Sequence, residues 1–422
     1  MQENEKALLI GVNVNGEKNF KQSMEELVNL TKACNIDVGE IIEQNLNSVN
    51  RSLYIGTGKV EEVKKEIDIT QADLVIFNNE LSSSQLRNLQ KLLDIPILDR
   101  TALILQIFAK RAQTKESKLQ VEVAKLQYML PRLVGLHSSL GRQGGGAGLS
   151  NKGSGEKKLE LDKRKIEDKL IELRKELENI LGQRDIQRRK RVKSNEPLVS
   201  LVGYTNAGKS TLLNTLVEIY QKQEEKKVLE KDMLFATLET SVRNIILGDN
   251  KSFLLSDTVG FIDKLPHNLI KAFRSTLEEI KSADLLLHVI DYSDPNFDLY
   301  IDVTKETLKE LGADNIPVIY IYNKSDLMLD KLPLIDGNSI YMSASKKQGV
   351  EELIQMIEKE IFSNYINCKM LIPFSKGNII SYFNEVATIK STEYTQDGTL
   401  IEVECKQSDY SKYIEFVIKS KS

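Results

Sequence analysis

Short apolar runs alternate with polar segments of helical period along the first 112 residues. The strand-like runs are Ala7–Val12, Leu74–Phe77 and Ile95–Leu98, and the helical segments include Val60–Ile67 and Ser84–Leu92. Such alternation is typical of strands that form a parallel sheet with helices packed on it. The pattern therefore predicts a small N-terminal α/β domain over residues 1–112.

A glycine-containing turn opens the first of these helical segments. Its sequence, at residues 54–59, is Tyr-Ile-Gly-Thr-Gly-Lys. A helix N-terminus can bind an anion, but short glycine turns also serve as tight connections between a strand and a helix. We favour the connection, because so short a motif does not specify a ligand.

Two later segments carry leucine, isoleucine and valine at heptad-type spacings. The members are Leu119, Val123, Leu126, Leu130 and Leu133 in the first segment, and Leu159, Ile166, Leu170, Leu173, Leu177 and Ile180 in the second. Narrow apolar seams of this kind are typical of helices that pair with one another. The pattern predicts an antiparallel helical arm over residues 113–193, with a long glycine-rich loop at residues 141–155.

The arm is basic, since residues 142–193 contain 16 Lys and Arg against 9 Asp and Glu. A basic, glycine-rich tip can approach RNA phosphates and exposed bases. The alternative is a solvated helix face with a loose tip, and composition alone does not separate the two. Under the RNA hypothesis the contacting residues are Arg142, Gln143, Gly144, Gly145, Gly146, Lys152, Arg188, Arg189, Lys190 and Arg191.

The second half of the chain repeats the strand and helix alternation. Apolar runs at Leu198–Val202, Leu285–Ile290 and Val318–Tyr322 have helical segments between them. This pattern predicts a doubly wound α/β domain over residues 197–363. Residues 371–422 then predict a small α+β domain, because a helical segment precedes two alternating runs joined by Asp-Gly at residues 397–398, a strong hairpin signal.

Composition is that of an ordinary globular protein, with 41% hydrophobic and 28% charged residues. The three cysteines, Cys34, Cys368 and Cys405, are scattered, which argues against a zinc site and a disulfide framework and fits a reducing cytosol. The chain starts on polar residues and has no apolar run of membrane-spanning length. We therefore expect a cytoplasmic monomer without stable membrane insertion, although peripheral association with a membrane stays open.

The most specific motif is at Gly203–Ser210, Gly-Tyr-Thr-Asn-Ala-Gly-Lys-Ser. It fits the phosphate-binding pattern G-x-x-x-x-G-K-[ST] and lies between a predicted strand and a predicted helix, the context that the pattern requires. The glycines let backbone N–H groups surround the β-phosphate. Lys209 reaches the β- and γ-phosphates, and the Ser210 hydroxyl ligates Mg²⁺.

Three later elements at predicted strand ends favour guanine nucleotides. In Asp257-Thr-Val-Gly260, the carboxylate holds Mg²⁺ through water and the Gly260 N–H faces the γ-phosphate. In Asn323-Lys-Ser-Asp326, Asn323 braces the loops, the next lysine lies across the base, and Asp326 accepts from guanine N1–H and its amine. Adenine lacks that donor pair, a penalty of a few kcal/mol. A backbone N–H of Ser343–Ser345 can meet guanine O6.

A GTPase switch also needs a threonine that completes Mg²⁺ coordination only when the γ-phosphate is present. Thr237, Thr240 and Thr258 are the nearest candidates. We favour Thr237, because the polar stretch before it has the character of a mobile loop, although Thr237 could be an ordinary strand residue.

Phe261 stands where many switches have a water-orienting glutamine. An apolar ring cannot orient water, so we expect slow intrinsic hydrolysis and strong activation by a partner.

The full assignment follows from these motifs. Catalysis is assigned to Lys209, Thr237 and Gly260, and Mg²⁺ binding to Ser210, Thr237 and, through water, Asp257. The predicted nucleotide contacts are Gly203, Tyr204, Thr205, Asn206, Ala207, Gly208, Lys209, Ser210, Thr211, Phe235, Ala236, Thr237, Asp257, Gly260, Asn323, Lys324, Asp326, Ser343, Ala344 and Ser345. Mg²⁺ is the expected cofactor, with GTP as substrate and GDP as product.

These motifs resemble the HflX family of bacterial GTPases over nearly the whole chain. They are residues 54–59, 143–146, 203–211, 234–238, 257–262 and 272–279. The resemblance also accounts for Phe261, since an apolar residue is typical there. Residues 153–160, Gly-Ser-Gly-Glu-Lys-Lys-Leu-Glu, depart from the usual G-P-G-E-T-x-L-E, which puts the loop tip's contact with RNA in doubt.

The resemblance implies a protein that binds the large (50S) ribosomal subunit and its rRNA, splits stalled 70S ribosomes under stress or antibiotic, and hydrolyses GTP when that subunit stimulates it. It also raises the possibility of ATP binding by the N-terminal domain, where residues 1–112 show no phosphate-binding pattern. Two alternatives remain. One is an assembly or checkpoint factor that binds the same subunit without splitting ribosomes, and the other is a GTP-gated scaffold for proteins or membranes.

Overall fold

The computed structural model describes residues 4–17, 19–137, 152–194, 196–220, 241–247, 251–258, 260–261 and 280–418. Side chains are described throughout these ranges except at 134–137, 152–159, 181 and 183–194. The described residues form two compact units, one ending at Arg189 and one beginning at Lys190.

The first unit begins with a four-stranded parallel sheet in the order β2-β1-β3-β4. The strands are β1 Lys6–Val14, β2 Asp37–Leu46, β3 Leu74–Phe77 and β4 Ile97–Asp99, and the helices are α1 Phe20–Ala33, α2 Thr57–Thr70, α3 Ser83–Leu93 and α4 Arg100–Arg111. The predicted N-terminal parallel sheet is confirmed. Its edge strand β2 was not predicted, because the strand is mostly polar and half of it faces solvent.

The arm consists of α5, Lys115–His137, and α6, Lys152–Ser194. Its seam is a small core built from Leu119, Val123, Leu170 and Leu173, with Leu126, Leu130, Ile166, Leu177 and Ile180 packed against it. Lys115 in α5 pairs with Glu176 in α6. Seven residues earlier in α6, the hydrogen bond and charge of Glu172 raise the pKa of Lys169, and the charge of Glu122, seven residues later than Lys115 in α5, adds to this shift. The two helices are therefore antiparallel.

The structure corrects one boundary of the arm. Helix α6 begins at Lys152, so residues 152–155 are helical and not part of the predicted loop 141–155. Glycine costs about 1 kcal/mol in a helix, but the strong helix formers that follow, Glu-Lys-Lys-Leu-Glu, extend the helix through Gly153 and Gly155. Residues 138–151 lie outside the described part of the chain.

A buried polar cluster joins α5 to the C-terminal edge of the first sheet. The Asp99 side chain, at 0% exposure, accepts hydrogen bonds from the Tyr128 hydroxyl at 2.7 Å and from Arg132 Nη2 at 3.0 Å. Arg132 also donates to the Leu81 carbonyl at 2.9 Å and lies 3.5 Å from the centre of the Tyr128 ring. Parallel sheets usually bind ligands at this edge. Beside β4, however, the side chains of Asp99, Tyr128 and Arg132 occupy that position.

The second unit contains a seven-stranded sheet in the order β10-β11-β9-β8-β5-β7-β6. The strands are β5 Leu198–Val202, β6 Ser241–Ile246, β7 Ser252–Asp257, β8 Leu285–Asp291, β9 Val318–Asn323, β10 Leu334–Asp336 and β11 Ser339–Tyr341, and the helices are α7 Lys209–Tyr220, α8 Phe297–Leu311 and α9 Val350–Ile361. Only the edge strands β6 and β10 are antiparallel to their neighbours. The predicted doubly wound α/β fold is confirmed.

A three-stranded antiparallel sheet, in the order β12-β14-β13, ends the described chain. Its elements are β12 Tyr365–Ile372, α10 Gly377–Val386, β13 Thr388–Tyr394, β14 Thr399–Lys406 and α11 Gln407–Lys412. The predicted hairpin is confirmed, but the first strand starts six residues before the predicted boundary at 371. The division into four domains stays a prediction. Across the described ranges, no helix is long and apolar enough to cross a bilayer.

We expect Asp99→Ala to destabilise the first unit by about 3–5 kcal/mol, because it removes the buried carboxylate partner of the largely buried Arg132 guanidinium. Glu80→Ala is the matched control. It removes the other carboxylate partner of Arg132. Because the Glu80 side chain is half exposed, the loss should lower the free energy of unfolding by less than about 1 kcal/mol. Hydrogen exchange of the α5 amides measures both. Equal protection in the two variants would contradict a structural role for Asp99.

Candidate functional site

The turn between β5 and α7 is built on glycines that no other residue could replace without movement. Gly203 has φ +138°, and a Cβ there would lie 2.2 Å from the Val289 carbonyl oxygen. Gly208 has φ +94°, and a Cβ there would lie 2.2 Å from Asn323 Nδ2. Both positions combine a backbone conformation that favours glycine with close contact. The turn is therefore packed directly against β8 and the end of β9.

Lys209 begins α7, and its ammonium group lies inside the turn. Nζ donates to the carbonyls of Gly203 at 3.0 Å and Tyr204 at 2.6 Å. Burial lowers the pKa of Lys209 to about 8, and the charge of Asp257 opposes that shift. A buried cation that is only partly compensated in this way gains strongly from an added anion.

Ser210 and Asp257 bring two hard oxygen ligands together. The Ser210 hydroxyl donates to Asp257 Oδ2 at 2.8 Å. Thr258, one of the three candidate switch threonines, has another role, because its hydroxyl donates to the Leu201 carbonyl at 2.6 Å inside the core. Thr237 and Thr240 lie outside the described residues, as do Phe235 and Ala236.

Gly260 and Phe261 lie against the same turn. The Phe261 N–H donates to the Gly203 carbonyl at 3.1 Å, and the Thr205 N–H donates to the Phe261 carbonyl at 2.9 Å. The Phe261 ring is 3% exposed. A Cβ on Gly260 would lie 2.9 Å from Thr205 Cα and 3.0 Å from Lys209 Nζ. Phe261 therefore forms a short bridge onto the turn, and the Thr205 N–H is hydrogen-bonded in it.

Asn323, at the end of β9, connects two loops. Its Nδ2 donates to the Ala207 carbonyl at 3.0 Å, and its Oδ1 accepts from the Ala344 N–H at 3.0 Å. The next residue, Lys324, donates to the Asn206 carbonyl at 3.0 Å and pairs with Asp291 at 2.7 Å. Its stem therefore spans from the glycine turn to the end of β8.

Asp326 lies within hydrogen-bond distance of the loop after β11. Its carboxylate pairs with Lys346 at 2.9 Å. Hydrogen bonds from Lys346 and Ser343 hold the pKa of Asp326 below its ordinary value, so the group stays an acceptor at neutral pH. The Ser343 and Ser345 hydroxyls lie 3.3 Å apart. Ala344 is fixed from both sides, because its carbonyl accepts from the Thr215 hydroxyl at 3.1 Å.

The structure thus brings most of the predicted nucleotide residues to one edge of the seven-stranded sheet. Tyr204 stacks on Tyr300 with ring centres 4.1 Å apart, and Thr211 lies in the first turn of α7. The predicted RNA contacts Arg142, Gln143, Gly144, Gly145 and Gly146 are outside the described residues, while Lys152, Arg188, Arg189, Lys190 and Arg191 are described only as helical backbone.

Two residues of the site were missed in the sequence. Asp291 carries a detectable signal, because an aspartate at the end of a buried parallel strand lies at the edge where ligands bind. Lys346 carries none, since a lysine in a polar loop is ordinary, and only the fold brings it to Asp326.

The residues present fit a nucleotide and a hard cation. Hydroxyl and carboxylate oxygens are the ligands that Mg²⁺ prefers, and Ser210 and Asp257 supply them side by side. The buried Thr205 hydroxyl has no hydrogen-bond partner in the described part of the chain, as expected of a group that faces a ligand. No cluster of three or more His, Cys, Asp or Glu that could hold a metal ion occurs among the residues that the structure describes.

Comparison with known sequence families covers most of the chain. Residues 21–109 match a family described as GTP-binding GTPase N-terminal, and residues 111–191 match GTP-binding GTPase Middle Region. Residues 198–324, which contain the site, match a family described as 50S ribosome-binding GTPase. The class that this fold and site define is that of the P-loop GTPases.

Curated relatives narrow the class to one family. GTPase HflX of Caldanaerobacter subterraneus subsp. tengcongensis is 43% identical over 95% of this chain and 91% of its own length. GTPase HflX of Escherichia coli is 36% identical over 94% and 92% of the two chains. A GTP-binding protein of Sulfolobus solfataricus, solved with GDP, is 25% identical over 85% and 99%, with a TM-score of 0.44. On the sequence relatives, this chain belongs to the HflX family of GTPases.

We expect GDP affinity to fall by about tenfold between pH 7 and pH 9. Burial lowers the pKa of Lys209 to about 8 in the free protein, and phosphate oxygens would raise it. The free protein therefore loses its proton as the pH rises past 8 while the bound protein keeps it, so binding takes up a proton in that window.

Calorimetric titration at several pH values measures this dependence. Lys209→Arg is the control, because the arginine side chain stays charged over this pH range. Any pH dependence that remains in Lys209→Arg comes from the guanine base. The same pH profile in both proteins would contradict the assignment to Lys209.

Proposed function

We propose that this protein is a cytoplasmic GTP hydrolase that binds the large ribosomal subunit and dissociates stalled or idle 70S ribosomes. The observation that carries the GTPase assignment is the double hydrogen bond of Asn323, which joins the glycine turn to the loop of Ala344. That connection assembles a phosphate site and a base site into one cleft. Membership of the HflX family and the match to a 50S ribosome-binding GTPase family support the ribosomal part.

The phosphate half of the site binds the nucleotide through backbone N–H groups of residues 203–210 and the N-terminus of α7. Lys209 supplies a buried positive charge to the β- and γ-phosphates. Ser210 and Asp257, together with Thr237, would hold Mg²⁺, which when bound supplies positive charge to the phosphate oxygens. Gly260 lies against Thr205 and Lys209, and we assign to its N–H a hydrogen bond to the γ-phosphate.

The base half of the site recognises guanine. Asp326 accepts from guanine N1–H and the exocyclic amine, and its lowered pKa keeps it ionised for that purpose. The Ala344 region supplies a backbone N–H for guanine O6. Lys346 pairs with Asp326, and adenine, which offers no donor pair there, would leave the remaining acceptor positions of the Asp326 carboxylate without a partner.

Hydrolysis needs a group that orients water, and Phe261 is not one. Its ring is buried and its backbone is hydrogen-bonded to the glycine turn. The Thr205 N–H donates to the Phe261 carbonyl at 2.9 Å, and we propose that bound GTP opens this contact so that the N–H can meet the γ-phosphate. We propose that the ribosomal subunit favours the open arrangement and so stimulates hydrolysis.

The helical arm is the proposed rRNA contact, through Arg142, Gln143, Gly144, Gly145, Gly146, Lys152 and Arg188–Arg191. In the middle of α6 the cations are matched by carboxylates of the same helix, as in Arg164 with Glu160 and Lys169 with Glu172. By sequence, the two ends of the basic segment carry an excess of positive charge, with two Lys or Arg and no Asp or Glu in residues 142–152, and six against one in residues 184–193. We propose four functional parts, residues 1–112, 113–193, 197–363 and 371–422.

Asp326→Asn should exchange guanosine for xanthosine specificity, because the amide presents a donor where guanine also presents one. We expect GDP affinity to fall by at least about tenfold and xanthosine diphosphate affinity to rise. Lys324→Arg is a control that keeps the charge beside the base. Unchanged GDP affinity in Asp326→Asn would contradict the base-site assignment.

Sedimentation of 70S ribosomes with the protein and GTP separates splitting from binding alone. We expect the 70S peak to decrease while the subunit peaks grow. An unchanged 70S peak with the protein bound to 50S subunits would favour an assembly or checkpoint factor.

Reversal of the charges at Arg188–Arg191 should weaken binding to the ribosomal subunit and flatten the salt dependence of that binding. Unaltered binding would favour the scaffold alternative.

A further inference from the structure

The connection between β9 and β11 contains no α-helix. These two strands are parallel neighbours, and such pairs are usually joined by a helix that covers one face of the sheet. Here residues 324–338 contain a single 3₁₀ turn, Ser325–Leu327, and the three-residue edge strand β10. The connection between β9 and β11 therefore supplies no helix to cover the sheet at these two strands.

Aromatic rings lie on this part of the sheet and contact one another. Tyr322 and Tyr341 are directly paired in the sheet and stack with ring centres 4.5 Å apart. Tyr292 approaches Tyr341 edge-on at 5.0 Å, and Phe297 lies 5.4 Å from Tyr292. All four side chains keep part of their surface exposed. The rings form one continuous aromatic surface.

The same connection exposes aliphatic side chains. Leu334 is 49% exposed and is paired in register with Tyr341, so the two lie side by side on one face. Leu327 and Met328 are 66% and 61% exposed, and Ile335 is 50% exposed. Leu334 therefore extends the aromatic surface with apolar surface beside Tyr341, and contiguous exposed apolar surface on a globular protein usually marks an interaction site. We call Tyr292, Phe297, Tyr322, Tyr341 and Leu334 the tyrosine face.

The charge around the tyrosine face is acidic. Residues 292–302 and 327–341, which flank it outside the nucleotide site, contain five aspartates and one lysine. Burial and then neighbouring charge, including that of Asp298, raise the pKa of Tyr322, and burial, Tyr292 and Asp336 raise the pKa of Tyr341. Asp298 and Asp336 are themselves exposed. The aromatic surface therefore has carboxylates at its edges.

We propose that the tyrosine face is a docking surface for a cationic, arginine-containing segment of a protein partner. Guanidinium groups stack on tyrosine rings while pairing with adjacent carboxylates, and their alkyl stems cover apolar surface such as Leu334. Nucleic acid is disfavoured, because phosphates would meet the aspartates. This surface is separate from the nucleotide site and does not depend on ribosome splitting.

A fluorescently labelled peptide of alternating arginine and glycine is the probe, added to the full-length protein and followed by anisotropy. Tyr341→Leu removes a π face and keeps apolar bulk, and Asp298→Lys with Asp336→Lys reverses the edge charges. Glu393→Lys with Asp397→Lys makes the same change in net charge at exposed positions of the C-terminal hairpin. Unaltered GDP binding shows that each variant is folded.

We expect peptide affinity to fall by at least about fivefold in Tyr341→Leu and in the edge-charge variant, and to stay within twofold in the hairpin variant. Equal losses in both charge variants, or no peptide binding to the unaltered protein, would overturn the proposal. Labelled oligouridine is the second probe. If it binds and Tyr341→Leu weakens it, the surface serves RNA instead and the proposal also fails.

Discussion

The two hydrogen bonds of the Asn323 side chain hold the nucleotide site together. One ends on the phosphate turn at Ala207 and the other on the loop at Ala344, so a single buried amide sets the distance between the phosphate half and the base half. An amide can do this because it donates at one atom and accepts at the other. Gly208 is required by the same contact, since a Cβ there would collide with Asn323 Nδ2.

The parallel sheet makes this arrangement possible by ending five strands at one edge. From that edge come the glycine turn after β5, Asp257 of β7, Asp291 of β8, Asn323 of β9 and the serine loop after β11. At the opposite end of β7, Lys251 pairs with Glu404 of the C-terminal sheet at 2.8 Å and lies near the Phe362 and Tyr365 rings. The strand that carries Asp257 is thus also linked to the C-terminal three-stranded sheet.

Where chemistry demands particular residues at fixed spacing, local motifs predicted which residues the fold would bring together. The glycines at 203 and 208, Lys209 and Asn323 belong to such motifs, and the structure shows the close contacts that require them. Local pattern failed where pairing across the sheet decides the outcome. The polar strand β2 is stabilised by β1, and β10 is a strand because of β11. Lys346 reaches Asp326 only through the fold.

Sequence also could not show which threonine is free to serve a switch. Thr258 was a candidate by position, but its hydroxyl is committed to the Leu201 carbonyl. At Phe261, by contrast, the sequence was informative. Its apolar character predicted a site that lacks a water-orienting group, and the structure adds that its backbone closes on Gly203 and Thr205. Activation by a partner is therefore the central physical requirement of the proposed function.

The rate of GTP hydrolysis by the purified protein, alone and with added large ribosomal subunits, tests this requirement most directly. The account predicts a slow rate for the protein alone and strong stimulation by the subunits. A fast rate without them would contradict it, because the site would then orient water without help. No stimulation, with GTP still tightly bound, would contradict the ribosomal subunit as the activating partner.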